Sequence, residues 1–465
     1  SSKDNVWVHG YWTHDWAESY EKVARIDTTE NLVYTEAPHG VYGYTQNQPF
    51  RFVNVLEELD SPGEWFLERE AGMLYFWPPG ELGEGDLMVS ILEEPMIVLS
   101  NTKHLSFENL VFEASRGIGA EIHDGTSNTF RGCTFRNLGN TGVVIDGGTL
   151  NGVESSDVYY TGGTGISLTG GDRLTLTPAG NYVRNSHIHH FARINRTYRP
   201  AVRIHGVGNI LSHNYIHDAP HAGVLFGGNE HLLEFNEVRN IAKETGDVGA
   251  FYIGRNWTTR GNIIRYNYFH DLHGPGLHGV MAVYLDDAAS GMTILGNVFY
   301  KAGRAAFIGG GHDNRVENNL FVECDPAVHL DARGLGWASN YIQKGGSWNM
   351  YEKLEEVNYK SPPYSTRYPE LTDILEEGNP AMPSGNTIVR NISIKSQWLE
   401  VDDKVDLDRN SINQNFIDIP IEIIDSTRFS YRLSDSSVAK KSGFKTIPVE
   451  KIGLYIDKYR TALPE

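Results

Sequence analysis

The 465-residue sequence predicts an all-β chain built around a right-handed parallel β-helix, with an N-terminal antiparallel β unit and an irregular C-terminal tail. Three observations predict it. A short phrase recurs through the middle of the chain, a second apolar segment recurs in step with it, and 49 glycines and 19 prolines punctuate short apolar runs.

The phrase is an aliphatic residue, two variable ones, Asn, one variable, then an aliphatic or aromatic. It reads ILSHNYIHD at Asn214, LLEFNEV at Asn236, IIRYNYF at Asn267, TILGNVF at Asn297 and RVENNLF at Asn319. Weaker copies place Asn109, Cys133, Ser156 and Asn185 in the same slot, and successive spacings run from 22 to 31 residues. A period of that size holds two or three short strands, which is one coil of a parallel solenoid stacked at about 4.8 Å per rung. The repeated Asn is then structural, since an amide at an inward turn can bond the rungs above and below and satisfy groups that burial would strand.

The second segment, set in register by the phrase, gives PAVRIHG, AGVLFGG, GAFYIGR, AVYLDD, AAFIGGG and PAVHLDARG. Its exit column reads His205, Gly227, Gly254, Asp286, Gly309, Asp331. Stacked residues outside an apolar interior, large polar ones separated by glycines, imply a groove with a polar wall and a backbone floor.

The coils are expected over 106–335. Residues 1–105 show aromatic alternation and a hairpin signal in SPGEWFLEREAGMLYFWPPGE (61–81), as for an antiparallel unit beside or capping the first coils. The phrase breaks over an aromatic-rich insertion loop, 336–390, and resumes weakly at Asn391 in a last coil and tail, 391–465. So long an excursion suits a lid or binding loop, and Trp337, Tyr341, Trp348, Tyr351, Tyr359, Tyr364 and Tyr368 divide between stacking on sugars and packing the loop itself.

A net charge of −19 argues against binding nucleic acid or an anionic membrane. The centre is balanced, with 14 Lys/Arg, 14 Asp/Glu and 13 of the 18 histidines in 181–335, so an anionic substrate stays open. Cys133 and Cys324 read as buried free thiols. HIHH (187–190) is a poor metal site, because His187 and His189 face one way along a strand and His190 the other. No cofactor is expected.

The segments TGDVGAFYIGRNWTTRGNIIRYNYFHD, GVMAVYLDD, GGGHDNRVENNLF and HLDARG, with PGEWFLEREAGMLYFWPPGE before them and SGFKTIPVEKIGLY after, resemble the parallel β-helix enzymes of glycoside hydrolase family 141. The resemblance runs from about residue 7 to 460. It implies a carbohydrate substrate and a retaining hydrolase of α-L-fucosides or xylan-type chains that uses two aspartates, carried over onto Asp247 and the Asp286/Asp287 pair. Such proteins open with further sequence ahead of the HGYWTHDW segment, so a fragment or a different cap is expected, and a secreted or periplasmic place of work goes with the reading.

The residues themselves leave the pairing open. Asp247 lies seven residues before Gly254, the partner of Asp286, and seven extended residues span about 23 Å. The two meet only if the chain bends sharply at Gly246 or Gly249, or folds back between them. Asp286 with Asp331, two rungs apart at about 9.6 Å, is the rival pair and suits inversion better. Turn chemistry is the plainer reading of Asp287, and an ion pair to Arg333 that of Asp331.

His205, His221, His273 and His278 are candidates to orient hydroxyls, Tyr252 and Tyr284 to bind substrate, Arg255 and Trp257 to wall a subsite, and His312, Asp313, Asp331 and Arg333 to line the same groove. Two other functions are weighed. A polysaccharide lyase or epimerase acting on uronates would use Arg255, Arg304 or Arg333, with calcium on the aspartates. A non-catalytic glycan-binding β-helix would not need clustered carboxylates.

Overall fold

The computed structural model describes residues 5–83, 87–376, 378–425, 430–434 and 437–464. They fall into two compact units divided between residues 89 and 90.

In the first unit a four-stranded antiparallel sheet runs in the order Leu32–Thr35, Ser19–Asp27, Trp7–Gly10, Phe50–Val53. The hairpin expected in 61–81 is present: Trp65–Glu68 pairs antiparallel with Met73–Phe76, and Gly72 supplies a positive φ of 63° at the turn.

The second unit is a parallel β-helix of three sheets, each of 11 strands. Sheet one runs from Ile97–Ser100 to Leu399–Val401, sheet two from Ser106–Glu108 to Ser411–Asn413, and sheet three from Val111–Ser115 to Phe416–Ile417. Each coil contributes one strand to each sheet, so identical residue types fall over one another. Inside, Phe269, Phe299 and Phe321 stack with ring centroids 5.2 and 4.8 Å apart, and all three are fully buried.

The Asn phrase forms the ladder that the repeat implies. Asn267 Oδ1 accepts from the backbone N and Nδ2 of Asn236, both at 2.9 Å, while its Nδ2 donates to Leu233 O at 3.0 Å and to Asn297 Oδ1 at 2.9 Å. The pattern continues through Asn319, Asn391 and Asn415. Below Asn214 the rungs are Ser186, Ser156 and Cys133. The weaker copies are therefore corrected at two places: Asn185 and Asn109 precede the rung by one residue. They occupy a column of left-handed residues that also holds His213, Phe235 and Tyr266, with φ near 50° at each coil. Asn185 instead ties down the tail, donating to Tyr455 O and accepting from Tyr455 N.

A second ladder, between sheets one and two, escaped the sequence reading. Asn128, Asn151, Asn181, Asn262, Asn314 and Asn386 take part, and His231 stands in for Asn, its Nδ1 accepting from Asn209 N at 3.1 Å.

Replacing Asn267 by Leu would leave the Asn236 backbone N–H without its acceptor in a dry interior and remove one donor each from Leu233 O and Asn297 Oδ1, although Asn297 Oδ1 keeps the bond from the backbone N of residue 267. At about 1–3 kcal/mol for the orphaned N–H and about 1 kcal/mol for each lost bond, a loss of about 3 kcal/mol is expected in urea unfolding. A loss below about 1 kcal/mol would remove the ladder's claim to hold the coils in register.

The excursion after Asp331 is not the loop expected. Short helices Ser339–Ile342, Met350–Glu356, Tyr364–Arg367 and Pro369–Thr372 fill it. Trp348, Tyr359, Tyr364 and Tyr368 are buried in their own apolar cluster with Leu176, Trp257 and Ala288, whereas Trp337 and Tyr341 are exposed. A compact satellite core lets these short helices persist where propensity alone would not. Both cysteines are free and buried, as expected. Among the described residues no helix is long and apolar enough to cross a membrane.

Candidate active site

In sheet one the strands Val248–Ile253, Val280–Leu285 and Arg304–Gly309 are twice the length of Val224–Phe226 just before them. They are also bent. Ala250 and Phe251 both point into the core, as do Ala282 with Val283 and Ala305 with Ala306, so the two-residue alternation slips at each small alanine. At Gly249 an added Cβ would lie 2.7 Å from Phe251 O and from Tyr284 Cβ, which only glycine tolerates. This is the bend that an Asp247 to Asp286 pairing requires. Past it, Tyr284 Oη donates to Asp247 Oδ1 at 3.2 Å, and the charge of Asp286 reaches Asp247.

The exit column stands in register: Ile204 pairs with Phe226, Ile253 with Leu285, Leu285 with Ile308, and Gly309 with Asp331. Asp286 begins a tight turn in which its N bonds Ile253 O and its O accepts from Ala289 N, while Asp287 and Ala288 both take positive φ. The turn is pinned from the neighbouring coils by Arg255 N to Asp287 O at 2.9 Å and Ala288 N to Gly309 O at 2.7 Å.

Arg333, from the 3₁₀ turn Arg333–Leu335, joins the carboxylates. It donates to Asp286 Oδ1, to Asp287 Oδ1 at 3.0 Å and to Asp331 Oδ2 at 2.9 Å, while its guanidinium lies 5.0 Å over the Phe307 ring. Gly309 makes room for it, because a Cβ there would fall 2.7 Å from the guanidinium carbon. Tyr252 Oη donates to Asp286 Oδ2 at 2.8 Å, and Arg255 Nε to Asp287 Oδ2 at 2.7 Å.

Burial, then the charge of Asp286, pushes the Asp287 carboxyl up to about 6 against the pull of Arg333 and Arg255. The same two causes raise Asp247, where His278 and Tyr284 oppose them. Burial also raises Asp331, opposed by Arg333. Tyr252 and Tyr284 are lifted well above the usual phenol range, first by burial and then by Asp286.

A family model described as the right handed beta helix region matches residues 93–192 and 176–334, more than half of the chain. The chain belongs to the right-handed β-helix family. A search of curated protein sequences finds no match. Among solved structures, one described as a glycoside hydrolase aligns with this β-helix protein at a TM-score of 0.52 and 12% identity, over 99% of this chain and 71% of that one. The PL6 family alginate lyase AlyGC gives 0.40 at 10% identity, over 79% of this chain and 56% of that one. The complex of XylC with xylose gives 0.40 at 11%, over 80% and 67%. At such identities the likeness is one of fold.

The β-helix thus brings together Asp247, Asp286, Asp287, Asp331, Arg333, Arg255, Tyr252 and Tyr284, with exposed His278 beside Asp247 and exposed His205 farther along the same column. Asp287 lies deepest, 2% exposed beneath two guanidinium groups.

Four expected groove residues lie elsewhere. His221 is buried, its Nδ1 against Thr245 Oγ1 at 3.1 Å. Trp257 is 0% exposed in the satellite core, so it walls no subsite. His312 is buried between Ser384 Oγ and Pro380 O. Asp313 pairs with Arg260 at 2.8 Å. In each case the chain has left the groove face at a coil corner: the excursion absorbs Trp257 and His312, while Thr245 of the next coil takes His221 and Arg260 takes Asp313. His273 is exposed on the segment after sheet three's Tyr268–His270 strand.

Residues missed by the sequence reading include Phe307 and His329, whose rings stack at 4.1 Å above Tyr284 at 4.9 Å from Phe307. The signal was present: each lies two residues before the exit column, so Tyr252, Tyr284, Phe307 and His329 form a parallel outward column.

Proposed function

We propose that this protein is a glycoside hydrolase that cleaves a glycosidic bond in a complex polysaccharide through two aspartates, with retention of configuration. The supporting observation is the pairing of a raised, half-exposed carboxyl on Asp247 with Asp286, which is oriented at both oxygens by Arg333 and Tyr252. A carboxyl that holds its proton above the usual range can protonate a leaving oxygen, and a neighbouring fixed carboxylate can attack.

In the first step Asp247 gives its proton to the glycosidic oxygen while Asp286 forms an ester bond to the anomeric carbon and the leaving sugar departs. In the second, the Asp247 carboxylate takes a proton from water, whose oxygen displaces Asp286 and returns it as carboxylate. Asp287, Arg255 and Arg333 position Asp286. A solved neighbour of the same fold is described as a glycoside hydrolase, and the family 141 resemblance favours α-L-fucosides or xylan-type chains in an extracytoplasmic setting.

The test is digestion of a glycan panel with products identified by mass and the anomeric configuration of the new reducing end followed by NMR. Asp247→Asn and Asp286→Asn are each expected to lower kcat by about 10³-fold or more. Two fully active variants would sink the assignment, and an unsaturated product absorbing in the ultraviolet would replace hydrolysis with elimination.

A further inference from the structure

Next to the carboxylates, toward the first coils, the groove of sheet one opens into a cavity of about 410 Å³. Its cationic lining comes from separate parts of the chain. Arg203 and His205 stand on one coil, Arg255 follows the strand Val248–Ile253, Arg173 reaches in from the loop after Ile166–Leu168, and Lys353 comes from the helix Met350–Glu356. Among the described residues no Asp or Glu lines it, in a protein with a net charge of −19.

The cations are satisfied mainly by neutral groups. Arg173 donates to Asn229 Oδ1 at 3.0 Å and Thr258 Oγ1 at 2.7 Å, and Arg203 to Tyr198 O at 2.6 Å. Lys353 Nζ donates to the carbonyls of Arg255 and Trp348 at 2.7 and 2.8 Å. Neither Arg173 nor Arg203 makes an ion pair among the described residues, and Arg255 spends its Nε on Asp287. These groups work against one another: burial and then Arg203 and Arg173 depress His205, while burial and then Arg199 depress Arg203. The floor is Gly206, Gly227, Gly228 and Gly254, of which Gly206 and Gly228 are required by the coil stack, an added Cβ falling 1.9 Å from Gly170 O and 2.0 Å from Gly206 O. His205 lies three rungs from Asp286, about 14 Å along the groove.

We propose that this cavity is an anion subsite that seats a carboxylate or sulfate group of an acidic glycan, so that the chain cut at Asp247 and Asp286 is a uronate-bearing or sulfated one. The proposal rests on the glycosidase reading for what happens at the aspartates. The subsite itself stands on the converging cations. A half-buried cluster of like charges is costly until an anion enters it, and a bound carboxylate or sulfate accepts the charge-assisted hydrogen bonds that the lining can offer.

The test measures equilibrium binding of the whole protein to oligosaccharides that are uronate-bearing, sulfated, or neutral, the last including carboxyl-reduced and desulfated counterparts of the first two. At least one acidic class is expected to bind about tenfold tighter than its neutral counterpart, the difference shrinking from 20 to 300 mM salt (about a 20 Å to a 6 Å screening length). Arg203→Ala and Arg173→Ala are expected to abolish that preference while leaving binding of the neutral counterpart within about twofold. The acidic arms separate carboxylate from sulfate. Equal binding of acidic and neutral glycans, or an acidic preference that survives both substitutions, overturns the subsite. Cleavage is followed in parallel: a neutral glycan cut by the wild type and not by Asp247→Asn, with no acidic preference, removes the subsite and keeps the hydrolase. An acidic preference with no cleavage keeps the subsite and removes the hydrolase.

Discussion

Arg333→Met is expected to destabilise the protein by about 3–5 kcal/mol at pH 7.5, and by clearly less at pH 5.5. The methionine can keep the contact with the Phe307 ring over which the guanidinium lies, so the change isolates charge more than packing. Asp286, Asp287 and Asp331 all bond this one side chain, and Arg333 and Asp286 are 6% and 7% exposed. Burial disfavours the Arg333 charge, but Asp286, Tyr284 and Asp331 hold it protonated well above even the usual arginine range. Without it three carboxylates face one another in a poorly solvated pocket. Asp287 and Asp331, already raised by burial, respond by holding protons to still higher pH. A raised carboxyl contributes stability that is complete below the unfolded pKa and lost as pH rises through the folded one. The penalty of Arg333→Met therefore grows with pH, Asp287 already standing at about 6 in the wild type. Urea unfolding of both proteins at pH 5.5 and 7.5 measures this. An identical penalty at the two pH values would mean that Arg333 acts by packing.

Acid should destabilise the wild type steeply, in the opposite direction. Burial first of all depresses His221 to about 3 and His231 to about 4, and both are nearly sealed from solvent. On sheet three, burial and mutual repulsion push His187 to about 2 and His189 to about 3, in a cluster where His187 Nε2 meets His217 Nε2 at 2.7 Å. There His190 curls round, with φ of 51°, to bring its Nδ1 within 2.7 Å of His189 Nδ1, although strand alternation alone would send it to the other face. A depressed histidine stabilises above the unfolded value near 6.5, and that contribution is lost as pH falls from 6.5 toward the folded value. His221 and His231 alone each remove about 1.4 kcal/mol per pH unit, so about 4 kcal/mol is gone by pH 5. The raised Asp287 offsets part of this between about pH 6 and 4, since it gains its proton in the folded state. His231→Asn puts in the rung the residue used elsewhere in its ladder, and should reduce the proton uptake on unfolding at pH 5.5 by about one. An unchanged pH slope in that variant would show that His231 does not titrate on unfolding.

What the sequence revealed follows the grain of the fold. The phrase around Asn214, Asn236, Asn267, Asn297 and Asn319 identified coils because amides that bond one another must recur at one place in successive turns. The exit column, with Gly254, Asp286, Gly309 and Asp331 in register, was legible for the same reason. Legibility ended at the corners. Trp257 and His312 sit beyond strand ends, where no period fixes direction, and only the satellite core and Pro380 decide that they are buried. The shift of one residue at Asn185 and Asn109 arose because the left-handed position also favours Asn, so two adjacent columns compete for the same residue type.

By itself the sequence determined the repeat, and with it the parallel stacking that lines up carboxylates from distant segments. Tertiary structure alone decided the slipped alternation at Ala250 and Ala282, the reach of Arg333 across two rungs to Asp286, and the meeting of Arg173, Arg203 and Lys353 in one cavity. The reason is physical: a period records contacts that most coils make, whereas a bend, a long side chain's destination and the convergence of a loop and a helix on one strand each depend on packing that occurs once.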